Sequence, residues 1–142
     1  MTGYLVDSSA LWRILRDRSV LELWRETLAN GEFCSCYPQR SEFLTSARNL
    51  KEYSEFCRMF DTLYRDATVP KGAGQWIGKV QYSAAERGSH QCLSAVDLQV
   101  CATAAHHGLV VVHDDSDFVT ATRFSAELRQ INVHEGPSDT SY

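Results

Sequence analysis

Two short apolar runs, Tyr4-Leu5-Val6 and Leu109-Val110-Val111-Val112, stand far apart in the chain, and each leads into aspartates: Asp7 after the first, Asp115 and Asp117 after the second. Runs of this kind read as buried strands, and the segments between them carry helical periodicity. Strands separated by helices imply right-handed crossovers and a parallel sheet covered on both sides. An acid just after a strand of such a sheet lands at the carboxyl edge, where ligands of open α/β sheets bind. The expected fold class is α/β, a three-layer sandwich with a central, mostly parallel sheet flanked by helices.

The remaining elements follow from periodicity and punctuation. Strands are expected at Tyr4 to Val6, Phe33 to Cys36, Ala67 to Val69 (cut off by Pro70), Leu109 to His113 and Ile131 to Val133. Helices are expected at Ser8 to Arg16, Val20 to Ala29 with a stop at Asn30-Gly31, and from Pro38 to near Asn49. Further helices are expected at Glu52 to Tyr64, Trp76 to Glu86, Ala95 to His107 before Gly108, and Phe118 to Ala121. Residues 1–135 read as a single domain and 136–142 as a polar tail that frays.

A chain of 142 residues with 44% hydrophobic content suffices for one globular core. It has no apolar stretch long enough for a membrane span and no signal-peptide blocks at its N-terminus, so a cytoplasmic protein is expected. The five cysteines match no zinc spacing and read as reduced, mostly buried small hydrophobes. A net charge of -4 argues against a broad basic surface. Against that, the 14 basic residues are mostly Arg, whose planar fork grips phosphate. Arg13, Arg16 and Arg40 are the candidates for such contacts.

Five carboxylates, Asp7, Glu42, Asp97, Asp115 and Asp117, occupy places that the sheet can bring together. Like charges packed closely do not all stay ionised unless a cation joins them. Hard carboxylate oxygens suit Mg²⁺ or Mn²⁺, and the matching chemistry is metal-assisted cleavage of a phosphodiester. Each acid also has a plainer reading. Asp7 is placed to cap the helix at Ser8, Ser94-x-x-Asp97 resembles a capping box, Asp115 and Asp117 suit a turn before Phe118, and Glu42 suits a solvated helix face. Against the plain reading, Asp97 shares a helical stripe with Val100, Cys101 and Ala104, which should face the sheet.

The order of these segments is recognisable. Tyr4-Leu5-Val6-Asp7-Ser8-Ser9-Ala10-Leu11, Ser41-Glu42-Phe43, Ser94-Ala95-Val96-Asp97 and Val111-Val112-His113-Asp114-Asp115-Ser116-Asp117-Phe118 together resemble the PIN-domain ribonucleases, especially the VapC-type toxins of bacterial toxin–antitoxin pairs. The resemblance spans essentially the whole chain. It implies a metal-dependent endoribonuclease, usually a homodimer, inhibited by an antitoxin packed across helices near the site. On that resemblance Asp7, Glu42, Asp97 and Asp115 match the acidic quartet that holds Mg²⁺ or Mn²⁺, Asp117 an accessory acid, and Ser9 a small hydroxyl residue that shapes the site. From the residues themselves, Asp7, Asp97 and Asp115 are the metal ligands expected, with the general base left open among the acids. His113 departs from the Thr or Ser that many members carry two positions before the fourth acid.

Two other classes remain. A phosphatase or phosphotransferase of another α/β fold also places an Asp after its first strand, but Asp7-Ser8-Ser9 lacks a second Asp two positions on. A PIN-like module that binds RNA or protein without catalysis would show losses from the quartet, and none is missing. Trp12 and Trp24, with Leu11, Leu15, Leu21, Leu23 and Leu28, make the first two helices mostly core, with a remainder that reads as a partner site, which the resemblance implies is an antitoxin or dimer contact. Trp76 and Tyr82 fit either base stacking or core packing. His106-His107 suits a helix C-terminus better than a metal.

Overall fold

The computed structural model describes residues 3–137, so most of the expected tail, from position 138 onward, lies outside the described residues. In chain order the elements are β1 (Tyr4–Val6), α1 (Ser8–Arg16), α2 (Arg18–Ala29), β2 (Phe33–Ser35), α3 (Tyr37–Leu44), α4 (Leu50–Leu63) and β3 (Arg65–Asp66). They continue as α5 (Ala73–Glu86), α6 (Ala95–His107), β4 (Val110–His113), α7 (Asp117–Ala121) and β5 (Arg129–Asn132). The five strands form one sheet in the order β3-β2-β1-β4-β5. Every pairing in it is parallel.

That order places the site. The chain builds outward from β1 to β2 and β3, then returns to lay β4 on the other flank of β1. The connections therefore diverge between β1 and β4, and the crevice this leaves at the carboxyl edge is the ligand position of such sheets. Tyr4, Leu5 and Val6 pair with Val110, Val111 and Val112, and the Asp7 N–H extends the ladder to the Val112 carbonyl at 2.9 Å.

Alternation along the strands divides the core. Tyr4, Val6, Phe33, Val110, Val112 and Ile131 face a layer rich in aromatic rings, including Trp24, Phe43, Phe60 and Tyr64. Leu5, Cys34 and Val111 face smaller side chains, among them Val100, Cys101 and Ala104 of α6. The stripe expected on α6 is thus against the sheet. Gly108 ends that helix with φ +67, a left-handed conformation suited to glycine. All five cysteines are free thiols; Cys34, Cys36 and Cys101 are buried.

Several expected boundaries shift. The third strand lies at Arg65–Asp66 rather than Ala67 to Val69, because Tyr64 stacks on Phe33 with centroids 5.7 Å apart and the chain pairs with β2 directly after α4. Helix α3 stops at Leu44 rather than near Asn49. The Thr45 and Ser46 hydroxyls donate to the Glu42 and Phe43 carbonyls, and Asn49 accepts from Glu52 N–H to start α4. The last strand runs Arg129–Asn132 rather than Ile131 to Val133, since Val133 enters a 3-10 turn whose carbonyl accepts the Trp24 indole N–H at 2.7 Å. That bond and full burial remove Trp24 from the expected contact surface. Trp12 packs on Phe43 and Phe56, leaving Leu15 and Leu23 as the exposed apolar residues of these helices. Tyr82 is exposed rather than core, while Trp76 is partly buried.

Candidate active site

Asp7 follows β1 and caps α1, and the two readings of it use different oxygens. Its Oδ2 accepts the Ser9 N–H at 3.1 Å and the Ser9 hydroxyl at 2.6 Å. Its Oδ1 is buried and has no hydrogen-bond partner. Burial pushes the Asp7 carboxyl above its ordinary range, with the Ser9 contacts opposing. A helix cap therefore explains one oxygen and leaves the other unsatisfied.

Asp97, in the first turn of α6, repeats the arrangement. Ser94 Oγ accepts the Asp97 N–H at 3.1 Å and an Asp97 oxygen accepts the Ser94 N–H at 3.4 Å, which completes the capping box with Asp in the usual Glu position. Yet its carboxyl is pushed up to about 6, by burial first and then by the charges of Asp7 and Glu42, against Ser94. Glu42 lies in the last turn of α3, which ends sooner than expected. Burial raises it too, the Asp7 charge adding and Ser8 opposing. Asp7, Glu42 and Asp97 thus sense one another across three elements.

Asp115 and Asp117 lie beyond β4. The Asp117 N–H donates to Asp115 Oδ1 at 2.9 Å at the start of α7. Their charges, with that of Asp97, act on Cys92, whose thiol is pushed up by burial first. Among the described residues no three His, Cys, Asp or Glu side chains close into a ready metal cage. Uncompensated carboxylates repel, and here Asp97 and Asp115 each lend an oxygen to a backbone amide instead. The donor set nonetheless fits a hard divalent cation: all oxygen, with Asp7, Glu42 and Asp97 in mutual electrostatic reach and a buried, partnerless carboxylate oxygen at Asp7, while Asp115 and Asp117 are tied to this group only through their shared action with Asp97 on Cys92.

Ser9 links the two strand ends, its hydroxyl donating to Asp7 and accepting the Asp114 N–H at 3.0 Å. Sequence reasoning had no role for Asp114. It pairs with Arg13 Nε at 2.7 Å, and Asn132 and His134 each reach its Oδ1 at 3.5 Å. Of the candidate phosphate contacts, Arg13 and Arg16 line a groove with Ser9, Trp12, Arg18 and Asp114. Arg16 lies over the Trp12 ring, 4.1 Å from its centroid. Arg40 instead pairs with Asp61 at 2.8 Å over the Tyr37 and Phe60 rings. His107 bonds the Thr68 carbonyl, in keeping with a structural role.

A parallel sheet with order β3-β2-β1-β4-β5 and acids at its switch point defines a class of α/β site, and comparison supplies the family. Residues 4–123 match the PIN domain, and the chain belongs to that family. Ribonuclease VapC6 of Mycobacterium tuberculosis is 47% identical over 95 residues, covering 67% of this chain and 75% of the relative. Ribonuclease VapC21 of the same organism is 30% identical over 133 residues, 91% of each. The solved structure of VapBC2 from Rickettsia felis, bound to a promoter DNA fragment, superposes with a TM-score of 0.75 at 10% identity, covering 92% of this chain and 98% of that one. At that identity the likeness is one of fold.

Proposed function

We propose that this protein is a Mg²⁺- or Mn²⁺-dependent endoribonuclease, the toxin of a toxin–antitoxin pair, whose partners are its RNA substrate, a cognate antitoxin and a second copy of itself. Residues 1–135 form its single catalytic domain, and reduced cysteines suit a cytoplasmic setting. The observation that carries the reading is the buried, partnerless Asp7 Oδ1, set beside Glu42 and Asp97 in a PIN-domain chain. The 47% identity to a ribonuclease supports the reaction class.

Asp7, Asp97 and Asp115 would hold the cation. When bound, it supplies a water of lowered pKa and polarises the scissile phosphate. Asp7 presents Oδ1 because Ser9 holds Oδ2. Glu42, raised by burial and by Asp7, suits a proton acceptor for the attacking water. Asp117 anchors Asp115 through its backbone N–H and adds negative charge at the rim. Arg13 and Arg16 would meet phosphates flanking the cut, a reading supported by the groove they share.

The test is incubation with total cellular RNA and Mg²⁺ or Mn²⁺, with new 5′ ends mapped. Cleavage should appear with either ion, stop on chelation, and be lost in Asp7→Asn. Equal cleavage in excess EDTA, absent from the Asp7→Asn preparation, would defeat the metal mechanism.

A further inference from the structure

His113 ends β4 two residues before Asp115, and its ring is tied at both ends. The residue is 1% exposed. The Asp115 backbone N–H donates to Nδ1 at 3.1 Å. A backbone amide only donates, so Nδ1 carries no proton and the ring hydrogen sits on Nε2. Nε2 then donates to Gln130 Oε1 at 2.6 Å, reaching across to β5. Phe118 of α7 covers the ring, centroids 5.2 Å apart. A Thr or Ser hydroxyl offers one polar atom at this position, whereas imidazole offers two at opposite ends.

The geometry points to His113 and Gln130 as a positioning pair for Asp115: β5 fixes the imidazole, and the imidazole fixes the backbone that presents the Asp115 carboxylate. This rests on Asp115 holding the cation of the proposed site. Groups that orient a ligand from behind change metal affinity or activity roughly 10–100-fold when lost.

Two substitutions separate the nitrogens. His113→Asn keeps an acceptor near Nδ1 and loses the reach to Gln130; His113→Gln keeps a donor near Nε2 and loses the acceptor. Mn²⁺ affinity is measured by paramagnetic resonance without RNA, alongside kcat and KM on RNA and thermal melts. His113→Gln should weaken Mn²⁺ binding roughly 10–100-fold and lower kcat with little change in KM. His113→Asn should recover most of that loss, Gln130→Leu should fall between, and the ¹⁵N spectrum of the parent should show His113 Nδ1 as a hydrogen-bond acceptor. Unchanged Mn²⁺ affinity in His113→Gln, equal impairment of the folded Asn and Gln variants, an Nδ1-protonated ring, or a parent that binds no Mn²⁺ would each overturn the pair. If His113→Gln does not fold, Gln130→Leu decides, and unchanged affinity there overturns it. The expected affinity pattern in a protein that cleaves no RNA would leave the pair standing and remove the ribonuclease reading.

Discussion

Asp7 and Asp114 each follow a central strand, β1 or β4, but belong to two differently supplied regions of the carboxyl edge. On the outer flank, burial would raise Asp114, but Arg13, Asn132 and His134 outweigh it and hold the carboxyl below its ordinary range. On the inner side, Asp7, Glu42 and Asp97 are all raised by burial, and charges within the group add to the rise in Glu42 and Asp97. None of the ion pairs among the described residues includes any of these three. Among the described residues, ion pairs thus reach Asp114 on the outer side and none of the three inner carboxylates. Removing a buried like-charge cluster's strain takes either protons or an external cation, and only the inner side has that requirement.

Asparagine at each position breaks the comparison most directly. Asp7→Asn keeps an oxygen for the cap and removes the inner charge, so cleavage should fall by about 100-fold or more, beyond the loss expected from an orienting group alone. Asp114→Asn leaves its own backbone bond to Ser9 in place and should lower cleavage only a few-fold. Initial rates at saturating Mn²⁺ measure both. Similar losses in the two variants would erase the distinction between the regions.

Proton binding sharpens it. Folded Asp97 holds its proton to about 6 against an ordinary value of 3.8, so between those values the folded state binds more protons than the unfolded chain. The metal-free protein should therefore gain stability as pH falls and lose it as pH rises through about 6, with Asp7 and Glu42 acting in the same direction. Metal binds the deprotonated carboxylates, so the rise in melting temperature with Mn²⁺ should grow with pH. Asp97→Asn should flatten the metal-free pH dependence and shrink the Mn²⁺ shift. It should also leave the metal-free protein as stable as the parent or more so, by no more than about 1 kcal/mol after solvent screening. Melts at about pH 5 and about pH 7.5, with EDTA or Mn²⁺, test this; identical responses in both proteins would take Asp97 out of the cluster.

The sheet was legible because its central strands are apolar runs, Tyr4–Val6 and Val110–His113, whose burial leaves little choice of structure. The edges were not. Arg65 and Asp66 are polar and exposed, and it is their pairing with Cys34 and Ser35 of β2, beside the Tyr64–Phe33 stack, that makes them a strand. At the site, acids after strands were visible as a pattern, and so was the competing reading of Asp7 and Asp97 as caps. Both hold, because a carboxylate has two oxygens and a cap consumes one. What spacing could not show was the sorting of Asp114 from Asp7, since it depends on Arg13, Asn132 and His134 arriving from three other segments. A basic residue in the last turn of α1, with an Asp-Asp pair after a strand, was the available hint. Trp24 misled for a related reason: its helix looks over-apolar until the Val133 carbonyl is found beneath it.

The smallest expected effect decides what Arg13 is for. Its ion pair with Asp114 is short, 2.7 Å, but the Arg13 side chain is 55% exposed. An exposed pair of this kind contributes only about 0.2–1 kcal/mol, so Arg13→Ala should barely move the melting temperature. If Arg13 serves Asp114 alone, RNA binding should be equally unmoved. If it also meets a phosphate in the groove it shares with Arg16 and Ser9, RNA affinity should weaken about equally for all sequences, and the slope of log affinity against log salt should fall by about one. Binding isotherms at several salt concentrations, run with the uncleaving Asp7→Asn background, separate the two. An unchanged slope would confine Arg13 to the outer flank and leave the approach of RNA to Arg16 and Arg18.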